Sequence, residues 1–188
     1  KVLQPSEALR KRSLLVQRGR FRPLTHVNLD MLASAKKTMQ ASCGAECEDL
    51  LPLMEISMHN LMEETNVCLE DFVSRAEVVS TTGCTVMVSD FPEYHRLAAY
   101  LFRYTHRPIG LAMGMHTLQG LFDGRYYRDL DGGILEGFGR LFKDQLRLLI
   151  YPVKNANGKL EHVDSLRLEG PAQRLFEFLC ECGCVLPL

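Results

Sequence analysis

The chain has 188 residues and a mass of 21.3 kDa, and its 46% hydrophobic and 24% charged residues are typical of a folded globular domain, which excludes a disordered chain. Its 22 Lys and Arg residues nearly balance its 23 Asp and Glu residues, so the net charge of −1 gives no overall attraction to nucleic acid or to an anionic membrane. No apolar run reaches the roughly 18–20 residues of a membrane-spanning helix.

The charge is unevenly distributed along the chain. Residues 1–22 hold seven basic residues against one acid, Glu7, whereas the rest holds 15 basic and 22 acidic residues. We predict a basic N-terminal arm over residues 1–22 and a single α/β domain over residues 23–188. The arm could dock on nucleic acid, anionic lipid or an acidic partner, or it packs on the acidic domain itself, and the lack of a nucleic-acid motif disfavours DNA or RNA. Its partner-binding candidates are Arg10, Lys11, Arg12, Arg18, Arg20 and Arg22.

Strands and helices are predicted to alternate along the first half of the domain. Strands are predicted over residues 22–30, 50–58 and 84–88, the last a nearly continuous apolar run typical of a strand that is buried on both faces. Helices are predicted over residues 31–40 and 69–82, with Gly83 as a stop signal. Asp90 and Glu93 fit a capping box for a further helix that runs to about residue 106.

The second half continues the same alternation. Strands are predicted over residues 109–113 and 146–151, and helices over residues 117–122, 134–142 and 171–182, with a turn at residues 155–158. This order favours an α/β fold with a mainly parallel sheet of about five strands and helices on both faces, a Rossmann-like three-layer sandwich.

Ligands of such folds bind at the carboxyl ends of the strands. Polar side chains at the predicted strand ends could bind a polar ligand or a hard cation, or each could cap a helix or satisfy a loop. The ligand-binding candidates there are Asn28, Asp30, Glu55, His59, Asn60, Asp90 and Tyr94, with Ser89, Met115 and His116 at the same ends.

Gly132 and Gly133 open a predicted helix in the segment DGGILEGFGRLF. Backbone amides at a helix start can hold a phosphate, with Arg140 or Arg128 assisting. The segment has neither the G-x-G-x-x-G pattern directly after a strand nor a phosphate-binding P-loop, so a tight turn with close helix packing is the alternative.

The seven cysteines do not form a disulfide framework, because their number is odd and their spacing irregular. The C-x-C-x-C run at residues 180–184 lacks the usual spacing of a zinc site, although Cys43 and Cys47 could supply a second pair. We therefore predict reduced thiols, no metal and an intracellular compartment, either cytoplasm or an organelle interior.

Sequence motifs for catalysis are lacking. The chain has no G-x-S-x-G or H-E-x-x-H motif, so no catalytic residue, cofactor or reaction is nominated.

Three stretches carry a family resemblance: residues 20–32 (RFRPLTHVNLDML), 93–105 (EYHRLAAYLFRYT) and 131–142 (DGGILEGFGRLF). They resemble an uncharacterised bacterial family labelled "TonB-dependent receptor" or "nicotinate-nucleotide adenylyltransferase". The family's stretches lie in the C-terminal half of a longer protein, so the resemblance implies that the chain is part of one. Neither label fits, because the strands are continuously apolar rather than alternating, and Thr25-His26-Val27-Asn28 lacks the glycine of a histidine-glycine-histidine phosphate motif.

Two functions remain as hypotheses. The first is an accessory or structural subunit of a larger assembly, built on an enzyme-like α/β domain and bound to protein partners. The alternative is a small-molecule enzyme or binder that takes a phosphorylated or nucleotide-like ligand at the strand ends.

Overall fold

Six apolar segments pair side by side as parallel strands in the computed structural model, which describes residues 3–58, 69–155 and 157–188. The strands of this sheet are β1 (Ser13–Arg18), β2 (Leu50–Ser57), β3 (Thr85–Ser89), β4 (Ile109–Gly114), β5 (Leu146–Tyr151) and β8 (Val185–Pro187). Their order is β3-β2-β1-β4-β5-β8. A separate antiparallel hairpin, β6 (Val153–Lys154) and β7 (Leu160–Glu161), follows β5.

Helices connect the strands. They are α1 (Pro5–Ala8), α2 (His26–Cys43), α3 (Leu69–Ser80), α4 (Tyr94–Leu101), α5 (Met115–Leu121), α6 (Gly133–Leu141) and α7 (Pro171–Glu181). Short 3₁₀ turns lie at Gly44–Cys47, Gly124–Tyr127 and Val163–Ser165.

The sheet is covered on both faces because its strands are apolar on both sides. One face packs Leu15, Met54 and Leu149 against Leu32 and Met39 of α2. The opposite face forms the larger core, in which strand residues pack against four helices: Leu14, Leu53, Leu111 and Leu148 against Leu97 of α4, Leu118 of α5, Phe138 of α6 and Phe176 of α7. The predicted three-layer α/β fold is confirmed, with six strands in the sheet.

The strand predicted over residues 22–30 is wrong. Thr25 caps α2, since its side chain accepts from the Asn28 amide and the Asn28 side chain accepts from the Thr25 amide, and this reciprocal cap starts the helix at His26. The first strand is instead β1, which pairs with both β2 and β4 at the centre of the sheet. Residues 13–18 of the basic N-terminal segment are therefore part of the sheet rather than of a separate arm.

The helix after β3 also differs from its prediction. The residue that caps α4 is Glu93, without a side-chain hydrogen bond, so the capping box of Asp90 with Glu93 is wrong. The helix ends at Leu101 rather than near residue 106, because the amides of Arg103 and Tyr104 turn back to the carbonyls of Tyr100 and Leu101 in tighter turns.

The strand order changes direction at β1. The chain builds β1, β2 and β3 outward on one side and then crosses back to place β4 on the other side of β1. In open parallel sheets, the crevice between the carboxyl ends of two such strands is the general location of a ligand. That crevice lies here between the ends of β1 and β4.

Candidate functional site

A buried ion pair joins the carboxyl ends of β1 and β2. Arg18 closes β1 and lies opposite Glu55 of β2 in the parallel register. The guanidinium donates from Nε to Glu55 Oε2 at 2.5 Å and from Nη2 to Oε1 at 3.1 Å. The side chain of Glu55 is fully buried and that of Arg18 is 8% exposed. Two parallel hydrogen bonds between charged groups fix the orientation of both side chains.

The same pair holds the end of β3 and the loop that leads into α4. The Ser89 hydroxyl donates to Glu55 Oε1. Arg18 donates from Nη1 to the carbonyl of Pro92 at 2.8 Å and from Nη2 to the carbonyl of Phe91 at 2.7 Å. Both carboxylate oxygens of Glu55 thus accept from internal donors. We call Arg18, Glu55 and Ser89 the carboxyl-edge clamp.

Tyr94, the first residue of α4, packs against this clamp. Its ring centroid lies 4.5 Å from Cζ of Arg18, a cation–π contact. Burial raises the pKa of Tyr94 to about 12, with the Arg18 charge opposing and the Glu55 charge adding to the shift. Tyr94 is therefore neutral at physiological pH, and its ring covers the guanidinium.

His95 lies beside Tyr94 on α4 and is 4% exposed. Neither of its ring nitrogens has a hydrogen-bond partner among the described residues. Its ring centroid is 5.8 Å from that of Tyr127. Burial lowers the pKa of His95 from its usual 6.5, and the charge of Glu93 opposes this shift. The imidazole is accordingly neutral near pH 7.

The predicted phosphate site at the start of α6 is occupied by a carboxylate of the same helix. The Gly132 amide donates to Glu136 Oε2 at 2.8 Å, and Arg140 Nη2 donates to Glu136 Oε1 at 2.7 Å. The Gly132 amide holds the pKa of Glu136 below its usual value. Gly133, the first residue of α6, has φ 56°, a conformation that glycine favours. Glu136 thus takes the position of an anion at this amide.

Asn28 and Asp30 lie on α2 rather than at a strand end. Asn28 forms the reciprocal cap with Thr25. Asp30 accepts a hydrogen bond from the hydroxyl of Tyr151, the last residue of β5, and so links α2 to the sheet. This hydrogen bond raises the pKa of Tyr151.

The remaining ligand candidates do not lie at the carboxyl-edge clamp. Asp90 is exposed directly after β3, and His116 is exposed in the first turn of α5, where Met115 is buried. His59 and Asn60 lie outside the described residues.

The basic candidates for partner binding are divided between the two ends of β1. Three precede β1 and three close or follow it: Arg10, Lys11 and Arg12, and Arg18, Arg20 and Arg22. The six residues of β1 separate the two groups by about 20 Å. Arg12 pairs with the exposed Asp49 at 2.6 Å, whereas Arg18 is buried in the clamp. The residues therefore do not form one basic surface.

An apolar groove of about 670 Å³ lies along β3, which pairs only with β2 in the described part of the chain. The groove runs between α1, α3 and β3, and its lining includes Leu9, Val73, Ala76, Val86 and Val88. Val73 is 46% exposed and Val88 is 45% exposed. Exposed apolar surface next to an unpaired strand edge is typical of a protein-interaction site. The sequence did not predict this groove, because it depends on which strand lies at the edge.

The described residues include no group of three or more His, Cys, Asp or Glu side chains placed to hold a metal ion. None of the helices in those residues has both the length and the apolar character needed to cross a lipid bilayer. The sequence matches no protein-family model and no curated protein. The family resemblance of residues 20–32, 93–105 and 131–142 stays a prediction.

Proposed function

We propose that the chain is an accessory subunit that binds a protein partner within a larger assembly, and that its carboxyl-edge clamp serves the fold rather than a ligand. The observation that carries this proposal is the internal use of the groups predicted to bind a ligand. Glu55 accepts from Arg18 and Ser89, and the Gly132 amide donates to Glu136. A ligand at either place would have to displace a charged group of the protein.

The groove along β3 supports the same proposal from another part of the molecule. Its exposed valines lose contact with water when a partner covers them, which favours association. Within the described residues β3 has no strand on its outer side, so its backbone N–H and C=O groups there can pair with a strand of another protein. An extended, apolar segment of a protein partner satisfies both needs, since main-chain hydrogen bonds give affinity and the groove takes alternate side chains.

The test compares two lysine variants in the native assembly. Val88→Lys places a charge in the groove, and Leu135→Lys places one on α6, at a leucine that is 68% exposed and does not line the groove. We expect the wild type and Leu135→Lys to elute in a complex during size exclusion with light scattering, and Val88→Lys to elute near 21.3 kDa. Equal elution of all three proteins would contradict docking at β3.

The strand order favours a second candidate function. The crevice between the ends of β1 and β4 is where parallel sheets of this order bind phosphorylated or nucleotide-like ligands. Gly114 closes β4 with open space where a side chain would lie, and it pairs with Tyr151, whose hydroxyl donates to Asp30 of α2. A binder at this place needs neither Glu55 nor Gly132.

Thermal unfolding separates the two candidates. A ligand that binds only the folded chain stabilises it by about 2.7 kcal/mol at a hundredfold excess over Kd. This stabilisation raises the Tm. A rise with nucleotides or sugar phosphates that disappears in Gly114→Leu would favour the second candidate. An unchanged Tm across these ligands supports the accessory subunit.

A further inference from the structure

Two cysteines meet where α2 ends. Cys43 is the last residue of the helix and Cys47 is the last residue of the 3₁₀ turn that follows it. Gly44 reverses the chain between them at φ 52°. Cys43 packs against the buried cluster that contains Cys47, so the two thiols are neighbours.

The two thiols differ in access and in neighbours. Cys43 is partly exposed, whereas Cys47 is fully buried. Arg147 on β5 donates from Nη1 to Cys43 Sγ at 3.8 Å. The charge of Arg147 is therefore next to the sulfur that solvent can reach, and reactive cysteines lie in such partly exposed, electropositive surroundings.

Cys47 has the properties of a partner thiol rather than of a first reactant. Burial, followed by the hydrogen bond to Cys43, raises the pKa of Cys47 to about 11. It therefore keeps its proton at neutral pH. Redox-sensitive cysteines are accessible thiols next to a second cysteine that resolves the oxidised product, and this pair has that arrangement.

We propose that Cys43 and Cys47 are a hydroperoxide-sensitive pair that closes into an intramolecular disulfide. Cys43 sulfur attacks one peroxide oxygen, the O–O bond breaks, and the departing hydroxide takes the Cys43 proton and leaves as water. Cys47 sulfur then attacks the sulfenic sulfur of Cys43, the S–O bond breaks, and the hydroxide takes the Cys47 proton as a second water. Two thiols are oxidised and one hydrogen peroxide is reduced to two waters.

The disulfide would join the end of α2 to the segment that enters β2. Ser13 of β1 already holds this segment through a hydrogen bond from its hydroxyl to the carbonyl of Glu46 at 2.5 Å. Closure would fix the turn Gly44–Cys47 against the sheet. This site lies before the start of β2, at the opposite edge of the sheet from the clamp, and it does not depend on the proposed partner.

The experiment treats the reduced full chain with one equivalent of hydrogen peroxide and digests it, without reduction, with a protease that cuts after glutamate. Cleavage after Glu46 and Glu48 separates Cys43 from Cys47, so only a disulfide keeps the two peptides together. We expect the peptide ending at Glu46 linked to Cys47-Glu48. In Cys47→Ser, we expect a sulfenic acid on Cys43 that dimedone labels.

One further variant tests the role of Arg147, and a second, at Cys182, is its matched control. Arg147→Met should slow the oxidation several-fold, whereas Cys182→Ser should leave the rate unchanged, since Cys182 is an exposed thiol outside the pair. The proposal is overturned if the exposed Cys182 of the wild type oxidises first, or if Cys43 is found linked to another cysteine. The wild-type digest alone decides this, even if a variant fails to fold.

Discussion

Arg18 and Glu55 form a two-bond ion pair at adjacent ends of β1 and β2, with the Glu55 side chain fully buried. Because Arg18 also donates to the carbonyls of Phe91 and Pro92, one side chain joins β1, β2 and the loop before α4. The pair is therefore a structural connection among three parts of the chain.

Glu55→Gln should lower the free energy of unfolding by about 3–5 kcal/mol, because it leaves the buried guanidinium of Arg18 without a countercharge. Asp49→Asn is the matched control, since it neutralises the partner of Arg12 in an exposed pair and should cost less than about 1 kcal/mol. Urea denaturation measures both. If Glu55→Gln lowers the free energy of unfolding as little as Asp49→Asn does, the clamp does not stabilise the fold.

The stability of the protein should fall as the pH is lowered through 6.5, in part because of His95. Burial lowers the pKa of His95 below its unfolded value of 6.5. As the pH falls below 6.5, the unfolded chain therefore binds a proton at His95 more readily than the folded chain does. The His95 contribution is complete above pH 6.5 and is lost below it, with a slope of at most about 1.4 kcal/mol per pH unit.

His95→Phe should remove this part of the pH dependence, and the exposed His116→Phe is the matched control. Urea denaturation at pH 7.5 and pH 5.5 compares the three proteins. If His95→Phe loses as much stability between the two pH values as the wild type does, His95 is protonated in the folded chain and the account of its burial is wrong.

Gly137→Ala should destabilise the protein by about 1–3 kcal/mol, although alanine is the better helix former. A Cβ at this position would lie 2.2 Å from Cδ1 of Tyr127, whose hydroxyl donates to the carbonyl of Leu121 at 2.7 Å. Gly139 lies on the same helix with open space around its Cα, so Gly139→Ala should stabilise by about 0.5–1 kcal/mol. Thermal unfolding of both variants checks the opposite signs.

Local sequence patterns predicted the continuously apolar strands, but β3 is not buried on both faces as predicted, since it lies at the edge of the sheet and Val88 is 45% exposed. β2, β3, β4 and β5 follow their predictions to within about two residues, because near-continuous apolar runs stand out in the sequence. β1 was missed because its apolar centre is only Leu14-Leu15-Val16, between basic residues. Thr25 with Asn28 was the signal for the start of α2, and the apolar Val27 and Leu29 concealed it.

The candidate site was harder to predict than the fold. Glu55 was singled out, but its partner Arg18 was assigned to the basic arm, since their contact exists only once β1 pairs with β2. Glu136 and Gly132 are only four residues apart, so their hydrogen bond is local. A carboxylate in the first turn of a predicted helix is a signal that could have indicated it. The groove along β3 requires the strand order, which no local pattern contains.

Hydrogen exchange across β3 tests the proposed function most directly. The protein is compared in its native complex and as the isolated chain. The account predicts that the amides of Thr85–Ser89 exchange more slowly in the complex, because a partner strand covers the open edge. Unchanged exchange in β3, with new protection confined to the start of α2 and the end of β4, would contradict it and assign binding to the crevice between β1 and β4.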